Sequence, residues 1–330
     1  MQEITREALL SRAAELFRDG TVDRALGWRA GEFDYDVTPG VFTSAEELEN
    51  GFVWNDFCGA NFSKYLIRET GLTEKKVLVF LKPCDTYSFN QLLTEHRFAR
   101  DKVYAVGVPC AGMADVKLLR DRFDGVTSVE GAEGGVLVHT LYDGDVTLPQ
   151  EELLPDRCRN CKSKKHVAYD ELPGSDGEVL DSHRFDEVEQ LERMTPDERF
   201  AFWQNELSRC IRCNACRDVC PACTCEKCVF DNPASGAANK APSSSFEEQM
   251  FHIIRAFHVA GRCTDCGECS RVCPQHIPLH LLNRKFIRDI DRFYGEYQAG
   301  AEVGSRAPIV DYTEGDIEPG EAVEGGARHA

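Results

Sequence analysis

Two cysteine runs of identical spacing constrain this chain more than any other feature. They read Cys210-Ile-Arg-Cys213-Asn-Ala-Cys216-Arg-Asp-Val-Cys220-Pro221 and Cys263-Thr-Asp-Cys266-Gly-Glu-Cys269-Ser-Arg-Val-Cys273-Pro274. Three thiolates on so tight a loop wrap one face of an iron-sulfur cube, while the fourth, set back by a turn and followed by proline, reaches the other cluster. The expected ligand sets are therefore crossed. One 4Fe-4S centre takes Cys210, Cys213, Cys216 and Cys273, and the other takes Cys263, Cys266, Cys269 and Cys220. Structural zinc is the competing reading, but zinc knuckles offer two ligands per half, and three close thiols plus a Cys-Pro, twice over, favour iron and sulfide. Two cubes on pseudo-symmetric arms lie close enough for one-electron exchange.

The chain holds sixteen cysteines in 330 residues. An even count would also suit disulfides in a secreted protein, so the compartment decides. The opening MQEITREALLSRAAELF alternates charges with apolar residues and lacks the apolar stretch of a signal peptide. A cytoplasmic location is expected, where clustered thiols mean metal or redox chemistry. The longest apolar runs, such as Val77 to Leu81, fall far short of the roughly 20 residues of a membrane span. A net charge of −18 would repel a phosphate backbone, so nucleic acid is not an expected partner.

The length suggests two domains, an α/β N-terminal one and an α-helical dicluster ferredoxin one. Thr5 to Arg18 reads as an amphipathic helix with Leu9, Ala13, Leu16 and Phe17 at helical spacing. Val77–Leu81 and Val103–Val108 read as buried strands flanking a helix from Asp85 to about Arg97, a βαβ unit in a small parallel or mixed sheet. Both strands run into a proline and a cysteine, at Cys84 and Cys110, on the sheet edge where open α/β sheets bind ligands. Val136 to Leu148 reads as a hairpin turning at Asp143-Gly144. The boundaries expected are an α/β domain over 1–172, a linker over 173–194, the dicluster domain over 195–300 and a flexible acidic tail over 301–330. Thr195-Pro196-Asp197-Glu198 is a helix start with a capping box, and Phe200, Trp203 and Leu207 supply its buried face. A second helix, from Ser245 to Gly261, carries Phe246, Met250, Ile253, Phe257 and Ala260 on one face.

Eight cysteines remain. Cys84 and Cys110 with the pair Cys158-Arg-Asn-Cys161 suggest a third centre, against the alternative of isolated buried cysteines. Cys58 with Cys223, Cys225 and Cys228 would suit a fourth, bridging the domains; a five-cysteine site that includes Cys58 is the alternative. His252, His258, His276 and His280 receive no ligand role, because thiols suffice. No Ser-His-Asp or paired-carboxylate arrangement stands out, and no glycine-rich phosphate loop is present.

The stretch Val53 to Leu66 around Cys58, then Lys82-Pro-Cys-Asp85, Gly107-Val-Pro-Cys-Ala-Gly112 and Cys158-Arg-Asn-Cys161, resembles the beta-subunit family of hydrogenases and formate dehydrogenases that reduce the deazaflavin coenzyme F420. The C-terminal part resembles the dicluster ferredoxin modules of heterodisulfide-reductase-type proteins. Together they cover about residues 50 to 290. The resemblance implies a cytosolic complex of an anaerobe, in which such a subunit relays electrons between a hydrogenase, formate dehydrogenase or NADH-oxidising unit and a heterodisulfide-reductase-like flavoprotein. It also implies FAD beside a cluster in many relatives, and hence a flavin enzyme reducing a deazaflavin or nicotinamide as the alternative function. No residue run here marks a flavin pocket. With no visible acid, base or nucleophile, the chain reads as an electron-transfer subunit rather than the catalytic one.

Overall fold

A computed structural model of the chain describes residues 4–132, 135–162, 165–178, 183–231 and 245–311, and the chain divides into two compact units, Met1–Ser182 and His183–Ala330. In the first unit, α1 (Arg6–Arg18) starts where the Thr5 hydroxyl accepts the Ala8 N–H at 3.2 Å, and it turns Leu9, Ala13 and Leu16 into the core, as its spacing predicts. There follow β1 (Val22–Ala30), β2 (Val37–Phe42), α2 (Ala45–Gly51), α3 (Leu66–Glu69), β3 (Lys76–Leu81), α4 (Pro83–Thr94), β4 (Val103–Gly107), α5 (Val116–Arg122), β5 (Val126–Ala132), β6 (Gly135–Thr140), β7 (Asp145–Leu148) and α6 (Asp156–Arg159).

The main sheet runs in the order β2-β1-β3-β4, with β1 and β2 antiparallel and the pairs β1/β3 and β3/β4 parallel. This is the mixed sheet with a βαβ unit that the sequence implies. Val77 stands opposite Val103 and Leu81 opposite Gly107, so β3 and β4 end level and deliver Cys84 and Cys110 to one edge. From Val77 to Leu81 every residue of β3 is buried, the pattern of an inner strand covered on both faces. Trp28 of β1 anchors the core, its ring 4.8 Å from both Trp54 and Phe62. The β1–β2 pair has no counterpart in the sequence reading, because Asp23, Arg24 and Arg29 interrupt the apolar pattern of β1 and Pro39-Gly40 punctuates β2. The expected hairpin is β6–β7, with Gly144 in its turn at φ +72°, and β5 adds a third antiparallel strand.

The segment returning to the main sheet is pinned by charge. Glu171, which bridges to Val106 beside β4, accepts from Arg12 Nε of α1 at 2.8 Å and from the Tyr104 hydroxyl. Hydrogen bonds from the Arg12 guanidinium hold the Glu171 carboxyl below its ordinary range. A carboxyl whose pKa is depressed on folding adds stability above its unfolded value, and that stability is lost as pH falls through the folded one. Glu171→Gln is therefore expected to cost about 1 kcal/mol near pH 7 and progressively less below about pH 4. Urea unfolding at both pH values checks this, and a loss that does not depend on pH would rule it out.

The second unit contains α7 (Asp186–Arg193), α8 (Pro196–Ser208), α9 (Ala215–Asp218), α10 (Ser245–Val259), α11 (Glu268–Arg271) and α12 (Leu279–Tyr294). α7 occupies part of the polar run over 173–194 that reads as a linker, and there Val188 and Leu191, three apart, are enough to bury one face against Leu281. α8 starts with the capping box as read: the Thr195 hydroxyl accepts the Glu198 N–H and the Glu198 carboxylate accepts the Thr195 N–H. Its expected buried face holds only in part, because Leu207 is buried while Phe200 is 58% exposed. α10 reverses the expectation more fully. Ala260 is buried as expected, but Phe246, Met250, Ile253 and Phe257 are exposed, and Glu248, Phe251, His252, Arg255 and Val259 are buried instead. For His252 and Arg255 the reason is what this helix faces: they meet the cysteine loops, His252 Nε2 at Cys210 Sγ and Arg255 at the Cys216 carbonyl.

The tail expected to be flexible from 301 is packed at its start. Ala307 is buried, and the Pro308 carbonyl lies so close to Gly261 (φ +72°) that a Cβ there would stand 2.6 Å from it. Residues 312–330 lie outside the described residues. No helix among the described residues is long and apolar enough to cross a membrane.

Candidate metal centres

In the second unit the two cysteine loops share one backbone conformation. Arg212 (φ 54°) and Asn214 (φ 63°) flank Cys213 just as Asp265 (φ 59°) and Gly267 (φ 68°) flank Cys266. Left-handed residues on both sides of a thiol curl the loop so that successive N–H groups converge on one concavity, a shape suited to anionic sulfur. The Arg212 N–H donates to Cys210 Sγ at 3.4 Å. Asp265 tolerates its positive φ because Asp is at ease there, and because Arg284 Nε (2.9 Å) and Arg184 (3.4 Å) hold its carboxylate. Each loop then enters a short helix, α9 or α11, that carries the third cysteine. The two helices pack together, and the fourth cysteine follows each of them.

This packing brings the fourth cysteine of each run to the other loop. A small cavity is lined by Cys210, Cys213, Cys216 and Cys273, with Phe251 and His252 over it. Cys273 is an electrostatic neighbour of Cys210 and Cys216, while Cys220 is a neighbour of Cys263, Cys266 and Cys269. Burial pushes Cys216, Cys263 and Cys266 up and Cys269 to about 12, so these thiols ionise only when a bound cation supplies compensating charge. Among the described residues no three cysteine sulfurs lie within 4.8 Å of one another. A tetrahedral zinc ion with bonds of about 2.3 Å needs its sulfurs roughly 3.8 Å apart. The donor set fits a larger inorganic core.

Sequence reasoning passed over the groups around these sulfurs. His252 Nε2 lies 3.2 Å from Cys210 Sγ, and burial, reinforced by Arg255 and Arg212, pushes the imidazole pKa down to about 3, so the ring is neutral at ordinary pH. Asn283 Nδ2 donates to Cys269 Sγ at 3.8 Å. The signal available in the sequence was His252 and Arg255 three apart on a helix that runs into a cysteine loop.

Such a pair of loops has a counterpart among known protein families. A family model described as a 4Fe-4S dicluster domain matches residues 206–277. The second unit carries a 4Fe-4S dicluster domain. Along most of its length the chain is also similar to two curated proteins. One is the F420-dependent formate dehydrogenase subunit beta of Methanocaldococcus jannaschii, 24% identical, with 81% of this chain and 86% of that protein covered. The other is the F420-dependent formate dehydrogenase 1 subunit beta of Methanococcus maripaludis, 24% identical, with 87% and 88% covered. Among solved structures, a chain of the F420-reducing NiFe hydrogenase complex of Methanosarcina barkeri aligns over 51% of this chain and 67% of its own, with a TM-score of 0.35 and 16% identity. The dicluster domain ends at the Pro274-Gln275-His276-Ile277 turn, one residue before the proline that precedes α12.

Outside the dicluster domain, the first unit gathers its own thiols at the edge of the main sheet. Cys84 opens α4 and has Cys161 and Cys110 among its electrostatic neighbours. Cys158 lies on α6, and Cys110 and Cys158 pack against the main core. Cys58 is fully buried, accepts the Asn55 N–H at 3.3 Å and has Cys110 among its neighbours; burial pushes its thiol to about 12. A buried cation faces these sulfurs. Burial works against the Lys82 ammonium, but Asp85 first, then Cys84 and Cys110, more than offset it and hold its pKa above the ordinary value. In the second unit, Cys223 is partly buried, Cys225 is exposed, and Cys228 is held by Arg217, which also pairs with Asp231 at 2.7 Å.

Proposed function

We propose that this chain is the electron-relay subunit of a multi-subunit oxidoreductase that exchanges electrons between a formate- or hydrogen-oxidising subunit and a flavin or deazaflavin acceptor. The observation that carries this is the cavity joining Cys210, Cys213 and Cys216 of one loop to Cys273 of the other. In this reading those four residues hold one 4Fe-4S cluster and Cys263, Cys266, Cys269 and Cys220 hold the second. Cys84, Cys110, Cys158 and Cys161 hold a third, with Cys58 as a fifth thiol beside it; its electrostatic contact with Cys110 supports that grouping over one with Cys223, Cys225 and Cys228. A 4Fe-4S cluster, when bound, stores and passes one electron without taking up substrate. The chain's own residues supply thiolate ligands, exclude water by burying Cys216, Cys220, Cys269 and Cys273, and donate hydrogen bonds to sulfur from Arg212 and Asn283. Similarity to beta subunits of F420-dependent formate dehydrogenases supports the choice of complex. An acidic chain of net charge −18 would meet basic patches on its partners.

Anaerobic purification with iron, sulfide, zinc and flavin quantification tests the reading. About twelve irons and as many sulfides per chain are expected for three cubes. Bound FAD in stoichiometric amount would turn the assignment toward a catalytic flavoprotein, and zinc without sulfide would end it.

A further inference from the structure

Arg255 is 4% exposed, on the inward face of α10. Its Nη2 donates to the Cys216 carbonyl at 3.4 Å, and its Nε is buried with no hydrogen-bond partner. No carboxylate pairs with it among the described residues. Its electrostatic neighbours are instead the thiols of Cys216, Cys220, Cys269 and Cys223. The helix explains how one side chain meets both cysteine sets. His252, a turn earlier, touches Cys210 of the first set. Val259, a turn later, packs on Cys220 with Cys263 beside it, in the second set. From 252 to 259 the axis rises roughly 10 Å, and Arg255 sits between the two ends.

A buried guanidinium without a carboxylate is costly unless some other anion compensates it. Among the described residues the groups that raise its pKa are thiols: Cys216, Cys220 and Cys269 of the two cysteine sets, and Cys223 beside them. We propose that Arg255 is the shared counter-charge of the two clusters, a positioning residue that stands between them and raises the reduction potential of both. This rests on the cluster assignment of the proposed function. Reducing either centre adds negative charge within reach of the guanidinium, so its Coulombic attraction favours the reduced state of each.

The test is an EPR-monitored redox titration of the anaerobically purified full chain as wild type, Arg255→Met and Arg255→Lys. Methionine keeps much of the stem and removes the charge, whereas lysine keeps the charge. In Arg255→Met the equilibrium constant for reduction is expected to fall at least tenfold at each cluster, a shift of about 59 mV for a one-electron couple, with Arg255→Lys restoring most of it. If the methionine variant fails to assemble clusters and the lysine variant assembles both near wild-type potentials, charge is again what the site needs. Unchanged potentials in a fully loaded Arg255→Met, a shift at one cluster alone, or equal failure of both variants would overturn the proposal and leave the relay reading standing. A wild-type chain without iron and sulfide would overturn the relay reading itself.

Discussion

Cys273→Ser will empty the centre built on Cys210, Cys213 and Cys216 and leave intact the one built on Cys263, Cys266 and Cys269, although Cys273 belongs to the second run. The expectation follows from the cavity that Cys273 completes and from its proximity to Cys210 and Cys216. Serine offers a harder, far less acidic oxygen than a thiolate, so the affected cube is lost or degraded and iron falls by about four atoms per chain. Cys220→Ser should do the reverse and spare the loop in whose own run it stands. Iron counting together with EPR of the reduced protein reads both variants. The two dicluster spectra, recorded one variant at a time, should add up to the wild-type dicluster signal apart from spin coupling between the centres. Loss of the nearer cluster in each variant would mean that the sets are not crossed.

The contrast between what the cysteine spacing discloses and what the helices conceal has a physical origin. A ligand run is local: its loop geometry is dictated by residues within about a dozen positions, so Cys210 to Cys220 and Cys263 to Cys273 could be read without a fold, and the parallel β3–α4–β4 unit likewise from continuous apolar strands. Burial of a helix face depends on what lies opposite. In α10 the apolar row Phe246, Met250, Ile253 and Phe257 suggests a hydrophobic core, but the unit turns Glu248, His252 and Arg255 inward instead. Amphipathic patterning assumes an oily interior, and an interior made of sulfur ligands inverts that assumption. β1 escapes a local reading for a related reason: Arg24 and Asp23 break its apolar pattern, yet Arg24 pairs with Glu69 at 2.9 Å and Asp23 accepts the Thr73 hydroxyl, contacts that no local window contains. Lys82-Pro83-Cys84-Asp85 draws attention by its cysteine, whereas its two charged residues form an ion pair with side chains only 2% and 1% exposed.

That pair gives the largest stability effect expected of this chain. Lys82 Nζ lies 2.7 Å from Asp85 Oδ2, donates to the Ala60 carbonyl at 2.8 Å and stands 4.8 Å over the Trp28 ring; both side chains are almost wholly buried. Asp85→Ala strands an ammonium in the core, and about 3–5 kcal/mol of stability should go with it. Lys82→Met should cost less. The carboxylate it leaves behind still accepts the Lys82 backbone N–H at 3.1 Å in the first turn of α4, where the helix dipole favours negative charge. The double variant Lys82→Met with Asp85→Asn removes both charges and is expected to recover much of the loss, because replacing both partners leaves no uncompensated ion. Urea unfolding of the four apo proteins gives the order directly: wild type, double variant, Lys82→Met, then Asp85→Ala as the least stable. If Lys82→Met proves the worse single variant, the helix N-terminus does not carry the carboxylate as argued. If the double variant is as unstable as Asp85→Ala, then the loss comes from packing around Trp28 and Ala60 rather than from an unpaired charge.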